Sequence, residues 1–451
     1  MAENSSAPGN LARFGLKIAA VCSVYLLVQA GVLLATGTGW QKFWVLQPID
    51  QFDYNDAIHY ANLAVNPGCS AFYPLWPGLV RWLVSPATAA EALKVALPGS
   101  EVIFLASLPL ALWTFERILR HRAAALVVLV LYALGPNAIF QSIGYTESLF
   151  GVLSLLFLLC LHEVEQSPLS QAKTVGLYTA VFGLSALLNL LRPALVQSWF
   201  AIAFTLSMLL LMQRLSLISP GRWGLPTRQL ILASLIGAGS LVGYGVVGLT
   251  CLNTVGDFFG PFHAQVTWGR SLALRPWLLV LPRSLLFDLH GLYTPMLVFA
   301  ALGWIIYGAY RQRELLTLSL PRQPWLYSLL VHPLAFIGAM AGLGHFGKAR
   351  LTALPTSSPT AMLQLVGRFS VLYAIAFSGV HSIINFLANS GYLYSTSRHY
   401  FGTPFAFVGI GAMLAVLTLP ALNRLMWVLA AVGLFLLAQQ WVSFSASLWL
   451  G

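Results

Sequence analysis

Three aspartates, Asp50, Asp53 and Asp56, fall in the stretch QPIDQFDYNDAIHYANLA, residues 47–64. Only 8% of the 451 residues are charged and 58% are hydrophobic, so acid gathered in one place points to chemistry or to a helix cap. A carboxylate can take a proton from an attacking hydroxyl. His59 follows three residues after Asp56, on the same face of any helix that starts there. The plainer role for Asp56 is to cap a short helix over 57–64, stopped by Asn66-Pro67-Gly68. Arg398 with its neighbour His399, then Arg270 and Arg192, are the arginines placed to meet an anion at the ends of apolar runs. Arginine offers a planar fork that holds two phosphate oxygens at once. An arginine at the end of an apolar run also snorkels to headgroups without any ligand, and for Arg192 that is the expectation. Glu147 opens an apolar run, where a carboxylate should face a cavity or a partner or serve as a first-turn acid. No His, Asp or Glu spacing matches a metal-ligand set, so no metal or cofactor is assigned; a divalent cation stays open.

The elements that must position these residues are membrane helices. Apolar runs long enough to cross a bilayer recur along the chain, and a helix satisfies its own backbone there. No alternating pattern suggests a barrel. The expected fold is all-α: a polytopic integral membrane protein, one unit over 1–451. About eleven transmembrane helices are expected, at 18–37, 100–119, 123–141, 146–162, 175–190, 194–212, 229–251, 291–310, 366–388, 402–420 and 425–444.

With the first run leaving the cytoplasm, Arg117, Arg120, Arg122, Arg214, Arg222, Arg228, Arg311, Arg313 and Arg322 all fall on the inner side, as the positive-inside rule demands. The net charge of +11 is then a topology signal, and no nucleic-acid partner is expected. The same map puts all five aspartates outside and makes 38–99 the first extracytoplasmic loop. Residues 325–344, with Pro333 and three glycines, read as re-entrant or surface-lying, and 351–362 as an inner linker. Cys22, Cys160 and Cys251 belong to apolar spans and Cys69 to an outer loop without a partner, so no disulfide is expected. His332 and His381 read as core histidines.

Five short segments in order carry a resemblance. DAIHYANLA (56–64) and AFYPLWP (71–77) are followed by YTESLF (145–150), GDFFGPFHAQVTWGR (256–270) and STSRHYFGTPFAF (395–407). Together they resemble the PIG-V-type mannosyltransferases, the family of GPI mannosyltransferase 2 and its prokaryotic relatives, within the GT-C class of membrane glycosyltransferases. The resemblance places the family's acid on Asp56 and its following His or aromatic positions on His59 and Tyr60. A Phe-Asp pair three residues earlier keeps Asp53 as a second candidate. Asn55 stands where the family has Trp, and Pro67-Gly68 where it has Gly-Tyr.

The resemblance implies a GT-C-like fold with a functional first extracytoplasmic loop. It further implies transfer of a hexose, mannose in this family, from a polyprenyl (dolichyl) phosphate donor to an acceptor hydroxyl on the extracytoplasmic face. The leaving phosphate needs no proton, so one carboxylate base suffices, unlike the acid–base pair of glycoside hydrolysis. Asp56, or else Asp53, would be that base. Arg398, His399, Arg270 and His59 would hold the donor phosphate, and Tyr60, Glu147, Gln265 and Trp268 would contact substrate. The expected partners are the donor, a lipid-linked or glycan acceptor and membrane lipid; an accessory membrane subunit stays open. A prokaryotic plasma membrane is favoured, with the ER membrane the site in a eukaryote. Two rival readings are a non-catalytic membrane partner and a lipid or sugar transporter. The latter would be expected to show matched broken helices in two halves, which the sequence lacks.

Overall fold

The structure, a computed structural model, describes residues 8–166, 170–218, 227–267, 271–279, 286–312, 359–389, 391, 393, 395–417, 420–448 and 450. Residues 325–344 and the first part of the 351–362 linker lie outside these; its last residues open a helix whose first residue is Pro359, where the missing amide costs nothing.

Helix α1 (Pro8–Thr36) leads through α2 (Thr38–Phe43) into the first loop, which carries α3 (Asp56–Val65) and α4 (Leu75–Val84). Then come α5 (Ala89–Leu119), α6 (Arg122–Leu134), α7 (Glu147–Gln166), α8 (Gln171–Leu191), α9 (Leu195–Arg214) and α10 (Thr227–Val255). The remainder is α11 (Gly260–Thr267), α12 (Leu286–Gln312), α13 (Pro359–Val366), α14 (Phe369–Leu387), α15 (Thr396–Phe401), α16 (Pro404–Leu417) and α17 (Pro420–Ser445). Among the described residues, 8 helices are long and apolar enough to cross a membrane: α1, α5, α7, α8, α9, α10, α14 and α17. The apolar helices α6 and α16 are shorter, and with α12 each of the expected spans meets a helix. The chain is an all-α, polytopic membrane protein. Its described strands are the two-residue pair Ser271–Leu272 and Ala388–Asn389, which tie the loop after α11 to the end of α14.

The boundaries depart from expectation where local chemistry intervenes. The expected span at 123–141 is helical only to Leu134. Gly135-Pro136 then turns the chain into a 3-10 segment, Pro136–Gln141, because proline has no amide hydrogen to continue an α-helix. Helix α5 begins at Ala89, well ahead of residue 100, because Thr88 caps it by accepting from the Glu91 amide while Glu91 accepts from the Ala87 amide.

One apolar cluster runs through the bundle from Tyr25 on α1 to Trp441 on α17. Close approach is set by small residues. On α10, Gly239 and Gly243 face backbone carbonyls of α8, and a Cβ added at either would collide with Phe182 O or Ala186 O. This is the small-xxx-small spacing that lets membrane helices pack backbone to backbone.

Ion pairs mark both ends of the bundle. At one end Glu163 meets Arg117 and Lys173, and Glu116 meets Lys17. The other end carries the first loop, α15 and the start of α7.

Two expectations are corrected at this second end. Cys69 is disulfide-bonded to Cys251, 182 residues away in sequence, because α10 continues to Val255 and delivers Cys251 beside the first loop. Asp56 is not the cap of α3: Asn55 occupies that position in a left-handed conformation, and Asp56 is the first helical residue. Asp53 instead closes the turn before the helix, its Oδ1 accepting from the Asn55 amide at 2.7 Å. Nearby, the buried Lys42 donates to the Phe444 carbonyl at 2.7 Å, in the last turn of α17, where the helix dipole favours a cation. Burial brings the Lys42 ammonium down to about 8, against an opposing pull from Asp53.

Candidate active site

Four charged side chains from four separate stretches of chain meet at this second end. Asp56 comes from the start of α3, Glu147 from the start of α7, Arg192 from the residue after α8, and Arg398 from α15. Arg398 bridges the two acids: its Nη1 lies 2.5 Å from Asp56 Oδ2 and its Nε 2.6 Å from Glu147 Oε1. Arg192 Nη1 approaches the same Glu147 oxygen at 3.4 Å, and Arg192 Nη2 lies 3.0 Å from His399 Nδ1. The His399 ring stacks on His381 at 5.0 Å. Two carboxylates and two guanidiniums thus form an alternating chain whose formal charge is zero.

Local sequence explains why these groups converge. Gly144 has φ +82°, a left-handed conformation that glycine adopts without strain. Its amide donates to Ser100 Oγ, and its carbonyl accepts from Trp76 Nε1. That pins the YTESLF segment between α5 and the AFYPLWP segment. Tyr145 Oη then accepts from the Asp56 amide at 3.1 Å, satisfying one of the free donors at the start of α3. The Arg398 guanidinium lies 4.3 Å from the Tyr145 ring centre and 5.0 Å from that of Phe140, within cation–π range. At the base, Asp288 accepts from both the amide and the hydroxyl of Ser397, holding α15 against α12.

Burial grades across the cluster. Side-chain exposure is 0% for Glu147, 7% for Arg398, 8% for Arg192 and 18% for Asp56. Glu147 is the floor and Asp56 the most accessible member. Asp56 Oδ1 has no hydrogen bond among the described residues, while Oδ2 is held. Burial alone would lower the Arg398 guanidinium, but the charges of Glu147 and Asp56 outweigh it and hold the group well above its ordinary range. Burial, with the Asp56 charge beside it, pushes the Tyr145 hydroxyl up, so Tyr145 stays a neutral hydrogen-bonding group.

The structure gathers Asp56, Arg398, His399 and Glu147 into one cluster. Tyr60 borders it, its ring 6.4 Å from Tyr145, and His59 stacks on Phe72 at 4.9 Å. Asp53 is an exposed turn residue. Gln265 lies on α11 beside α10, and among the described residues no hydrogen bond or ion pair joins it to the cluster. Arg270 and Trp268 lie outside the described residues. Arg192 was expected to snorkel, and instead its guanidinium is buried against Glu147. Nothing in NLLRPAL signals that, because the partner carboxylate is on another helix. Tyr145 was legible only as a member of a motif, and His381 only as a core residue. Among the described residues no group of three His, Cys, Asp or Glu side chains is arranged to hold a metal ion.

No family model matches the chain. The chain is 30% identical over 118 residues to GPI mannosyltransferase 2 of Schizosaccharomyces pombe, a stretch that is 25% of this chain and 25% of that protein. The match agrees with the resemblance read from the motifs, and the chain spans about a quarter of this curated relative's length. Among solved structures, the apo Archaeoglobus fulgidus oligosaccharyltransferase superposes with a TM-score of 0.41 at 12% identity, over 92% of this chain and 56% of that one. The oligosaccharyltransferase AglB of the same organism, in complex with an inhibitory peptide and a dolichol-phosphate, gives a TM-score of 0.41 at 12% identity, with the same shares covered.

Proposed function

We propose that this protein is a membrane glycosyltransferase that passes mannose from a polyprenyl-phosphate donor to an acceptor hydroxyl, with Asp56 as the base. The observation that carries the reading is the buried Arg398 fork, closed by Asp56 at the mouth and Glu147 at the floor. Glu147 is fully enclosed and shared by two arginines, so its role is to hold them. Asp56 is reachable and has a free oxygen.

The donor phosphate enters beside Arg398 and competes with Asp56 Oδ2 for the guanidinium; Arg192 and His399 stand behind it. Displacement frees the carboxylate where the acceptor arrives. The acceptor oxygen attacks the anomeric carbon, its proton passes to Asp56, and the sugar–phosphate bond breaks with its electron pair leaving on the phosphate oxygen. Arginine neutralises that charge, and because Glu147 holds it in place beforehand, little reorganisation is needed at the moment of transfer. The reaction faces the compartment bathing the first loop. The arginine-rich opposite end supports assigning that compartment to the extracytoplasmic side, and the Cys69–Cys251 disulfide supports an oxidising one.

The test is transfer of radiolabelled mannose from polyprenyl-phosphate mannose in membranes carrying wild-type or Asp56→Asn protein. The wild type should move label into lipid or protein. The variant should lose on the order of a hundredfold or more in turnover while still binding donor. A non-catalytic partner or a transporter would give the same label distribution with either chain, and that result would discard the assignment.

A further inference from the structure

A second polar site lies at the opposite end of the bundle, where α5 meets α7. A cavity of about 350 Å³ opens there, lined by Arg117, Arg120, His162, Gln166, Glu116 and Glu163, within the size range of small-ligand sites, about 300–1,000 Å³. His162 is 3% exposed, and its Nδ1 has no hydrogen-bond partner, a condition that buried polar atoms rarely tolerate. The acids of the rim are already matched: Glu116 pairs with Lys17, and Glu163 with Arg117 and Lys173. Glu165 is occupied with the amides of Phe369 and Ser370 and the Ser370 hydroxyl, at the start of α14.

Two guanidiniums hydrogen-bond only to neutral acceptors, although Glu165 partly offsets the charge of Arg368. Arg120 donates to the Gln166 side chain, and Arg368 donates to the Ile118 carbonyl at 2.9 Å. They lie close enough to repel each other, and both act electrostatically on His162. Snorkelling alone would spread such arginines apart. An arginine lining a cavity beside an unsatisfied histidine nitrogen, with a second arginine nearby, offers the donors and charge that a phosphate needs.

We infer that this cavity binds a phosphate group, carried either by an anionic phospholipid headgroup or by a soluble phosphate ester, against Arg120 and His162 Nδ1–H, with Arg368, outside the cavity lining, adding positive charge nearby. The inference is independent of the transferase reading, because no residue of the Asp56 cluster takes part.

The test uses the full chain. In one arm the protein is purified into nanodiscs of phosphatidylcholine containing some phosphatidylglycerol, and retained lipid is counted by native mass spectrometry. In the other, inorganic phosphate is titrated at millimolar concentration into detergent-solubilised protein, and the melting temperature is read. Retention of phosphatidylglycerol by the wild type, reduced about tenfold in Arg120→Gln and in His162→Phe, supports the site with a lipid source. A rise in melting temperature with phosphate, absent in Arg120→Gln, supports it with a soluble source. Arg120 is exposed at a helix end, so its variant should fold. Equal behaviour of wild type and Arg120→Gln in both arms overturns the inference, as does an equal loss in Arg214→Gln, which changes a charge outside the cavity.

Discussion

Arg398 Nη1 lies 2.5 Å from Asp56 Oδ2 although 342 residues separate the two in sequence. The pair holds the first loop against α15 and keeps the proposed base and the proposed phosphate ligand on one another until substrate separates them. Lysine at 398 would keep the charge but could not reach Asp56 and Glu147 together. Arg398→Lys should therefore raise the KM for the donor and lower kcat, each by about tenfold or more. Asp56→Asn should lower kcat alone. Steady-state kinetics of the two variants separate the roles.

Glu147 neutralises two buried arginines. Glu147→Gln leaves both without their enclosed counter-charge, and breaking a buried pair in this way costs about 3–5 kcal/mol. A clear fall in melting temperature is expected, and Glu147→Gln with Arg192→Met should lose less than the sum of the single changes. Additive losses would mean that Arg192 does not depend on Glu147.

Lys42 gives a pH signature. Its folded value of about 8 lies below its ordinary 10.5, so between those values the unfolded chain binds a proton that the folded chain has released. Stability contributed by this group therefore rises as pH increases through that window. Below about pH 8 the ammonium is charged in both states and its burial penalty is present in full. The difference in melting temperature between wild type and Lys42→Met, followed from pH 7 to pH 10, should change in the wild type's favour. A flat difference would contradict the assignment.

The Cys69–Cys251 bond closes a loop across 182 residues of sequence. Cys69→Ser, or reduction, should shift mobility on a non-reducing gel and cost on the order of 2–4 kcal/mol. Activity should fall with it, since the loop that carries Cys69 follows directly from α3. Unchanged mobility after reduction would remove the bond from the account.

What was legible in the sequence was what each stretch decides locally. The run of apolar residues in α10 specifies a membrane helix whatever its neighbours do, and the arginines after α5 and α9 declare their side by the cost of moving charge across lipid. The motif order brought Asp56, Glu147, Arg398 and His399 onto one list. What stayed hidden depends on which helix stands beside which. Arg192 looked like any arginine at a helix end until Glu147, on another helix, faced it. Cys69 had no visible partner because Cys251 read as a span residue. Asp56 passed for a cap because the left-handed Asn55 that takes that place leaves little trace in a sequence. Asp53, adjacent and of the same type, was separated from Asp56 only by direction: one carboxylate folds back on its own turn and the other points into the bundle.

The proposed reaction centre draws on the chain from residue 56 to residue 399, so most of the membrane crossings lie between its first and last members in sequence. A ribosome that has delivered α1 to α10 has made the mouth and the floor but not the arginine between them. Any fragment ending before α15, whether from stalled translation or from proteolysis, should be inert toward donor sugar. Catalytic competence should therefore switch on late in biosynthesis, as a single event when Arg398 arrives.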